Sequence, residues 1–296
     1  MKFGLHKMTW GKYFDTGRLD LMFAQTRAAG GEALELRPPD EVLNGDMDRA
    51  QRVRKMADSE GIELKFCFGY PRGLDMRLED SFTRKYALMH LNSAIRAAAA
   101  LGGTEIGGVL YSTWPSRYDH DMLTREIRQE RVKRSIECIR AAMPAAEEYG
   151  VRLNMEILNR YENYIINTVD EGIRFCEAVD SKCCGLLLDI YHMNIEEADI
   201  TAAIRRASPY LGKFHVSEPD RNIPYHDTRI NWKEIGEALK ETGFDGAVIM
   251  EAVVGFDGPA SYSMRLWRDG LKEDSLDARL EAMKRGLSYI RSQFGQ

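Results

Sequence analysis

Four consecutive apolar runs in the second half of the sequence each carry an acidic or imidazole side chain near their carboxyl end. These are Glu156 in VRLNMEIL, Asp189 in CGLLLDI, His215 in GKFHVSE and Glu251 in GAVIMEAVV. Three carboxylates that meet without a counter-charge repel one another, and a divalent cation removes that repulsion. Two Glu, one Asp and one His suit Mn²⁺, Mg²⁺ or Co²⁺ better than they suit a zinc–thiolate site. The pattern therefore predicts a divalent metal site.

Each of these residues, taken alone, also has an ordinary structural explanation. Glu156 and Glu251 could be ion-pair partners. Asp189 could cap the turn that follows its strand, and His215 could be a hydrogen-bonded histidine at a strand end. Their joint occurrence at equivalent places on four consecutive strands is hard to explain in this way, so we predict that all four are metal ligands.

Further polar side chains follow the same strand ends. Glu162 comes six residues after the first proposed ligand, His192 three after the second and Arg221 six after the third. We expect these residues on loops at the mouth of the site, where His192 and the planar donor fork of Arg221 could bind substrate oxygens. Glu196 and Glu197, in contrast, are interpreted as a pair at a helix start, favoured by the helix dipole.

Four aromatic side chains could stack against a sugar ring. They are Trp10, Tyr70, Trp114 and Trp267. A place in the hydrophobic core is an equally good explanation for each, because aromatic residues dominate cores as well as binding sites.

The elements that would position these residues alternate along the whole chain, without a Pro/Gly/Ser-rich linker or a low-complexity segment. Short apolar runs predict eight strands, at residues 2–8, 32–38, 62–69, 104–111, 151–158, 184–190, 212–218 and 246–254. Amphipathic stretches predict eight helices, at residues 19–30, 48–61, 84–102, 131–150, 168–181, 199–210, 231–243 and 277–294. Several of these stretches end in Gly, which closes a helix C-terminus without steric cost.

Strict strand–helix alternation favours parallel strands with crossover helices, and eight such units close into a barrel. A doubly wound open sheet is the alternative, but no G-x-G-x-x-G follows the first strand. We therefore predict an α/β protein with a single (β/α)8 TIM barrel, forming one catalytic domain over residues 1–296. Adjacent strands lie about 4.8 Å apart, so side chains at four neighbouring carboxyl ends can converge on one point.

Two connections that follow strands are longer than the rest. They span residues 111–130 and 255–278. In a barrel of this kind the loops after the strands form the catalytic face, so we expect both to cover the site.

Composition and charge exclude several classes of function. The net charge of −5 leaves no basic surplus for binding nucleic acid. No apolar stretch approaches the roughly 18 residues that a membrane span needs, and the N-terminal residues lack the apolar core of a signal peptide. The five cysteines are odd in number and contain no C-x-x-C, which is typical of a reducing compartment. We expect a cytoplasmic protein, with Cys183 and Cys184 structural at the start of the sixth strand.

At the proposed ligands the sequence resembles the ketose 3-epimerases, the D-tagatose/D-allulose (psicose) 3-epimerase group of the sugar-isomerase-like barrels. The resemblance is densest in MEILNRYENYIINT and LLLDIYHMNIEEADI, and it continues through FHVSEPDR and VIMEA to RLWRDG. It spans the whole barrel in outline, but the specific motifs lie in the second half of the chain.

The resemblance implies an isomerase that inverts C3 of a free ketose, of the D-tagatose, D-fructose, D-allulose or ketopentose type, through an enediolate. It implies one divalent metal ion, Mn²⁺ in the first place with Co²⁺ or Mg²⁺ as alternatives. Glu156 and Glu251 would serve both as ligands and as the acid/base pair. The implied substrate contacts are Glu162, His192, Arg221, Trp114 and His6. The implied partners are a monosaccharide and a second copy of the chain, in a homodimer or homotetramer.

The sequence departs from the family in the expected wall of the sugar pocket. Several members have an aromatic residue at the position of His6 and a Pro-Phe pair in place of Ala252-Val253. FHVSEPDR and NIPYHDTRINW also differ from the usual Gly-Glu and Gly-Arg-Gly stretches. The identity of the ketose therefore stays open.

Three other functions are consistent with parts of the pattern. An aldose–ketose isomerase, or a related barrel that acts on another keto-sugar, would use the same metal site. The related apurinic-site endonucleases bind DNA with several metal ions, but the net charge of −5 and the six histidines argue against that activity. A non-catalytic sugar-binding barrel is disfavoured by the complete set of proposed ligands.

Overall fold

The structure, a computed structural model, describes residues 1–70, 73–116, 123–225, 229–256 and 259–296. Eight parallel strands form a closed barrel in the order in which they occur along the chain. They are β1 (Lys2–His6), β2 (Ala33–Leu36), β3 (Glu63–Cys67), β4 (Glu105–Gly108), β5 (Arg152–Glu156), β6 (Cys184–Asp189), β7 (Leu211–Val216) and β8 (Ala247–Met250). The predicted (β/α)8 TIM barrel is confirmed.

The barrel closes where β1 pairs with β8, in a register that runs from Lys2 opposite Ala247 to Leu5 opposite Met250. All eight predicted strands are present, but several predictions run past the observed carboxyl ends. Residues 251–254, for example, are apolar or acidic and buried, yet they lie beyond the end of β8. The apolar pattern that comes with burial therefore predicted strand for these residues, although none of them is part of a strand.

In the part of the chain that the structure describes, all eight predicted helices are present, and three short ones accompany them. The helices are α1 (Leu19–Ala28), α2 (Asp40–Leu43), α3 (Met47–Ser59), α4 (Ser81–Ala100), α5 (Arg125–Tyr149), α6 (Val169–Val179), α7 (Ile190–Glu196), α8 (Ile200–Ala207), α9 (Trp232–Glu241), α10 (Pro259–Met264) and α11 (Leu276–Gln293). Two 3₁₀ helices, Lys7–Tyr13 and Thr16–Arg18, follow β1. As predicted, a glycine ends α5: Gly150 caps its C-terminus in the left-handed conformation, with a φ of 65°.

The first of the two long connections is shorter than predicted. The α5 helix begins at Arg125 and not at residue 131, because the hydroxyl of Thr124 accepts the backbone N–H of Ile127 and caps the helix. In the second connection, α10 and the aromatic side chain of Trp267 lie within the predicted loop. Residues 117–122 and 257–258, which belong to these two connections, lie outside the described residues.

The cysteine pair lies where the sequence predicts. Cys184 is buried as the first residue of β6, at the end of the strand opposite Asp189, and its Sγ lies 3.6 Å from Sγ of Cys176. Among the residues that the structure describes, no helix combines the length and the apolar character needed to cross a membrane.

Candidate metal and active site

The side chains of Glu156, Asp189, His215 and Glu251 meet at one end of the barrel. Glu156 and Asp189 are the last residues of β5 and β6, His215 is the penultimate residue of β7, and Glu251 directly follows β8. One potential ligand atom from each residue lies within 4.8 Å of the other three. All four side chains are buried. The structure thus brings together the four residues that the sequence predicts as metal ligands.

Asp189 performs the structural role considered for it and also faces the cluster. Its Oδ1 accepts the backbone N–H of Tyr191 at 2.9 Å and caps α7. Its Oδ2 accepts Nη1 of Arg221 at 2.5 Å. One oxygen therefore starts a helix while the other belongs to the site, so the two interpretations of Asp189 are compatible.

His215 is held from both sides. Its Nδ1 lies 3.0 Å from Oε2 of Glu251, and its Nε2 lies 2.8 Å from Oε2 of Glu35 in β2. Nδ1 thus faces the cluster, and the opposite ring nitrogen bonds to a carboxylate. A carboxylate behind a metal-binding histidine fixes the orientation of the ring and its tautomer.

Glu35 belongs to a buried ion pair inside the barrel, which the sequence analysis missed. Its Oε1 accepts Nζ of Lys213 at 2.7 Å, and both side chains are fully buried. Lys213 also donates to the carbonyl oxygen of Phe66 at 2.9 Å. Gly107 makes room for this lysine, because a Cβ there would lie 3.1 Å from Cδ of Lys213 and 2.6 Å from Cδ1 of Leu187. Charged residues inside the predicted strands EALELRP and GKFHVSE were the available signal.

Burial and neighbouring charges displace the pKa values of these groups. Burial alone would raise the pKa of Glu35, but Lys213 and His215 outweigh that effect and hold the pKa well below its usual range. Burial alone would lower the pKa of His215, but the carboxylates of Glu35 and Glu251 raise it well above the usual range. Carboxylates on both ring nitrogens thus stabilise the protonated form of His215.

The two glutamates of the cluster differ in their electrostatic surroundings. Burial raises the pKa of Glu156, and the nearby carboxylate of Glu251 adds to the effect. Burial would also raise the pKa of Glu251, but Arg221, His6 and His215 hold it well below its usual range. Opposite displacements of two neighbouring carboxyl groups are typical of acid/base pairs.

The donor set and its charge fit a divalent cation. Among the described residues, the three carboxylates of the cluster face one guanidinium, that of Arg221, which contacts Asp189 at 2.5 Å and Glu251 at 3.3 Å. With a cation bound, His215 would be neutral, and the three carboxylates and one guanidinium would carry two net negative charges for the cation to balance. Glu35 adds no further charge, because Lys213 neutralises it. Oxygen-rich sites with one imidazole suit Mn²⁺, Mg²⁺ or Co²⁺.

A cavity of about 180 Å³ opens beside the cluster. Its walls include all five residues that the sequence predicts as substrate contacts, namely His6, Trp114, Glu162, His192 and Arg221. The predicted contacts therefore surround one space, together with Glu156, His215 and Glu251.

His192 lies on α7 and not on a loop, which corrects the sequence prediction. The helix starts directly after β6 because Asp189 caps it, so no loop separates strand and helix. Nδ1 of His192 accepts the backbone N–H of Asn159 at 3.1 Å, which leaves Nε2 to carry the proton. That Nε2 lies 3.6 Å from Oε1 of Glu156 and faces the cavity.

Glu162 connects the loop after β5 to the aromatic wall. Its Oε2 accepts Nε1 of Trp114 at 2.7 Å, and its Oε1 accepts Nδ2 of Asn159 at 2.9 Å. Asn159, which the sequence analysis did not single out, thus holds both Glu162 and His192. No local pattern in the sequence marks this asparagine.

Arg221 is placed by an unusual backbone conformation. Its φ of 65° lies in the left-handed region, which costs a non-glycine residue about 1–2 kcal/mol. Its backbone N–H donates to the carbonyl of Glu218, and its own carbonyl accepts the N–H of Val253, each at 2.8 Å. The guanidinium carbon lies 4.2 Å from the centre of the Tyr191 ring. The backbone conformation of Arg221 and its contact with the Tyr191 ring together orient the guanidinium toward the cluster.

His6 ends β1 and lines the cavity. Its Nδ1 lies 3.4 Å from Oε1 of Glu251, and its Nε2 lies 3.2 Å from Sγ of Cys67. Burial lowers the pKa of His6 to about 4, so the ring is neutral at pH 7. His6 therefore offers a neutral polar group to the cavity wall, where the sequence departs from several members of the family.

The other aromatic candidates lie away from this cavity. Trp10 is fully buried in the core, and its Nε1 donates to Gln25 at 2.8 Å. Tyr70 donates its hydroxyl to the carbonyl of Leu110, and it lines a separate cavity together with Trp267. Trp114 lines both this separate cavity and the one beside the cluster.

The prediction for Glu196 and Glu197 is wrong. Both lie at the C-terminal end of α7, and Asp199 caps the next helix in their place. Glu196 accepts the backbone N–H of Arg160 at 2.6 Å and pairs with its guanidinium, whereas Glu197 accepts the N–H of Val169 at 2.7 Å. The two glutamates thus tie α7 to the segment after β5.

Comparisons with known proteins agree with this architecture. The sequence profile of the xylose isomerase-like TIM barrel family matches residues 23–275. The D-psicose 3-epimerase of Ruminiclostridium cellulolyticum is 34% identical over 288 residues, which are 95% of either chain. The D-psicose 3-epimerase of Agrobacterium fabrum is 35% identical over 217 residues, which are 73% of either chain. A crystal structure of the D-psicose 3-epimerase from Clostridium cellulolyticum with D-tagatose has a TM-score of 0.92 and 31% identity, and covers 99% of both chains.

Proposed function

We propose that this chain, which belongs to the xylose isomerase-like TIM barrel family, is a ketose 3-epimerase that inverts C3 of a ketose with Glu156 and Glu251 as the acid/base pair. The observation that carries the proposal is the meeting of these two carboxylates, with Asp189 and His215, in one buried cluster beside a cavity. The relatives named as D-psicose 3-epimerases support a ketose as the substrate class.

We propose that Glu156, Asp189, His215 and Glu251 hold one divalent cation, with Mn²⁺ as the first choice. A cation there would polarise the carbonyl of the substrate and lower the free energy of the negative charge that develops when a proton leaves the neighbouring carbon. The choice of Mn²⁺ rests on the donor set, with its three carboxylates and single imidazole.

The two glutamates reach the cavity from β5 and from the residue after β8, three strands apart around the barrel. A ketose bound between them presents different faces of C3 to the two carboxylates. One carboxylate then removes the proton from one face, and the carboxyl group on the other face returns a proton, which inverts the configuration. In the reverse reaction the two groups exchange these roles.

Donors beside the cluster would hold the reacting oxygens. The Nε2–H of His192 and the guanidinium of Arg221 line the cavity and can donate to the substrate oxygen that gains negative charge. Glu162, fixed by Trp114 and Asn159, would accept a hydroxyl group at the C1 end. Because these groups are buried and held by the protein, little reorganisation is needed during the reaction.

Proton exchange in D₂O tests the proposal. The protein, loaded with Mn²⁺, is incubated with D-fructose, D-tagatose, D-allulose or a ketopentose, and the products are analysed by NMR. We expect the 3-epimer with deuterium at C3. Glu156→Gln and Glu251→Gln should each abolish epimerisation, because an amide can neither take nor return the proton, whereas Glu237→Gln on the exposed face of α9 should not.

Half-reactions make this test more specific. Each Gln variant keeps one carboxylate, so it can still exchange the C3 proton of one epimer without converting it. An aldose product with label at C1 or C2 and an unlabelled C3 would refute epimerisation and indicate an aldose–ketose isomerase. Turnover that survives chelation in protein without detectable metal would refute the role of the cation.

Three expectations from the sequence stay predictions. They are that the chain forms a homodimer or homotetramer, that it is cytoplasmic, and that residues 1–296 act as one catalytic domain. Light scattering combined with size-exclusion chromatography measures the first of these directly.

A further inference from the structure

A second cavity continues from the one beside the cluster. It measures about 350 Å³, and Lys7, Met8 and Trp114 line both spaces. Its other walls come from the 3₁₀ helix after β1, from the segment after β8 and from α10 and α11. A substrate held at the cluster by its C1–C3 end can therefore extend past Lys7 into this second space.

Two cations border the second cavity with unused hydrogen-bonding capacity. Lys7 is half-buried and makes no hydrogen bond or ion pair with the residues that the structure describes. The side chain of Arg279 is 1% exposed, and its Nη2 is buried without a hydrogen-bond partner in the described ranges. Buried donors are nearly always paired, so an unpaired guanidinium nitrogen at a cavity wall indicates a missing acceptor.

The backbone is built closely around the guanidinium of Arg279. A Cβ at Gly11 would lie 2.8 Å from Nη1, and a Cβ at Gly255 would lie 2.2 Å from Nη2. The other two guanidinium nitrogens each have a partner, since Nε donates to Asp274 at 2.6 Å and Nη1 donates to the carbonyl of Thr9 at 3.1 Å. The two glycines and these two bonds hold the head group in place, and Nη2 is the nitrogen left over.

The local charge balance favours an anion. Asp274 is the carboxylate that pairs with Arg279, and it is shared with Lys12, whose Nζ lies 3.0 Å away. Among the described residues, Arg279 thus has Asp274 as its carboxylate partner, whereas Lys7 has no carboxylate partner. A further cation, Arg37, lines the first cavity and pairs with the exposed Asp40. A neutral sugar would leave the charge of Lys7 without a counter-charge among the described residues.

We propose that the substrate is a ketose with an anionic group at the end far from C1, and that Lys7 and Arg279 bind this group. The inference rests on the proposed epimerase function and narrows its substrate class. A phosphate ester and a carboxylate share the required chemistry, because both present several acceptor oxygens with negative charge to ammonium and guanidinium donors.

Three matched substrates test the proposal. They are a neutral ketohexose, its 6-phosphate and the corresponding ketohexuronate, which carries a carboxylate at C6. We expect at least one anionic ketose to have a kcat/KM tenfold or more above that of the neutral ketose. The preferred anion separates phosphate from carboxylate as the natural group.

Variants of Lys7 test whether a preference for an anionic ketose depends on the second cavity. Lys7→Met should lower the ratio of kcat/KM between the anionic and the neutral ketose by tenfold or more, and Lys7→Arg should restore most of it. Lys284→Met, on the exposed face of the helix that carries Arg279, removes one positive charge elsewhere and should leave the ratio unchanged. A ratio that does not respond to Lys7→Met would overturn the subsite.

Calorimetric binding of the same three ketoses separates this inference from the epimerase proposal. Tighter binding of an anionic ketose that Lys7→Met abolishes, without deuterium entering C3, would support the subsite and overturn the proposed function. Epimerisation of the neutral ketose with no preference for either anion, in binding or in turnover, would overturn the subsite and leave the epimerase standing.

Discussion

Replacing Glu35 by Gln should weaken metal binding although Glu35 is not a proposed ligand. The side chain touches Nε2 of His215 at 2.8 Å, on the side of the ring opposite the cluster. Glutamine has nearly the same shape but no charge, so it no longer favours the tautomer and orientation that turn Nδ1 toward the site. Loss of such a supporting carboxylate typically lowers metal affinity by about 10- to 100-fold. This corresponds to about 1.4–2.8 kcal/mol.

The same substitution has a second effect, on folding stability. Lys213 loses its carboxylate partner at 2.7 Å while fully buried, and removal of one member of a buried pair costs about 3–5 kcal/mol. Glu105, with an oxygen 3.7 Å from Nζ, compensates part of the charge. We therefore expect the free energy of unfolding of Glu35→Gln to fall by about 3 kcal/mol, at the lower end of that range.

A double variant separates the two effects. Adding Lys213→Met to Glu35→Gln removes the unpaired ammonium, so much of the lost stability should return. The metal affinity should stay low, because His215 still lacks its carboxylate. Denaturation in the presence of a chelator measures stability, and competition with a chromophoric chelator measures Mn²⁺ affinity. A Glu35→Gln protein that binds Mn²⁺ as tightly as the unaltered chain would refute the argument.

Three further predictions follow from the site and its surroundings. Chelation by EDTA should abolish activity, and added Mn²⁺ should restore it. Asp189→Asn should weaken Mn²⁺ binding, whereas Glu237→Gln should not. Equal Mn²⁺ contents of the two variants by elemental analysis would contradict this prediction. A double Ser variant of Cys183 and Cys184 should keep turnover within a small factor, because Cys184 begins β6 and Cys183 directly precedes it, at the end of the strand opposite Asp189. A large loss of kcat in a well-folded variant would count against that view. His6 has a pKa of about 4 when folded and 6.5 as its ordinary value, so the unfolded chain binds the extra proton and stability falls as pH drops from 6.5 toward 4. His6→Phe should flatten that part of the stability profile of the metal-stripped protein, and an unchanged slope would be the contrary result.

The sequence alone was sufficient to predict the barrel and the residues at the carboxyl ends of its strands. Alternation of apolar runs and amphipathic stretches is a local property of the chain, and eight repeats of it have few compact solutions. Parallel order then places the ends of neighbouring strands side by side. For this reason the positions of Glu156, Asp189, His215 and Glu251 could be related to one another before any coordinates existed.

The groups that support the site could not be predicted in this way. Glu35 and Lys213 are 178 residues apart, and whether each is a surface charge or half of a buried pair depends on which side chains share the barrel interior. The same holds for Lys7 and Arg279, which come from opposite ends of the chain to border one cavity. Sequence periodicity encodes which face of an element is buried. The partner of a buried charge is decided only when the closed barrel brings distant segments within a few ångströms of each other.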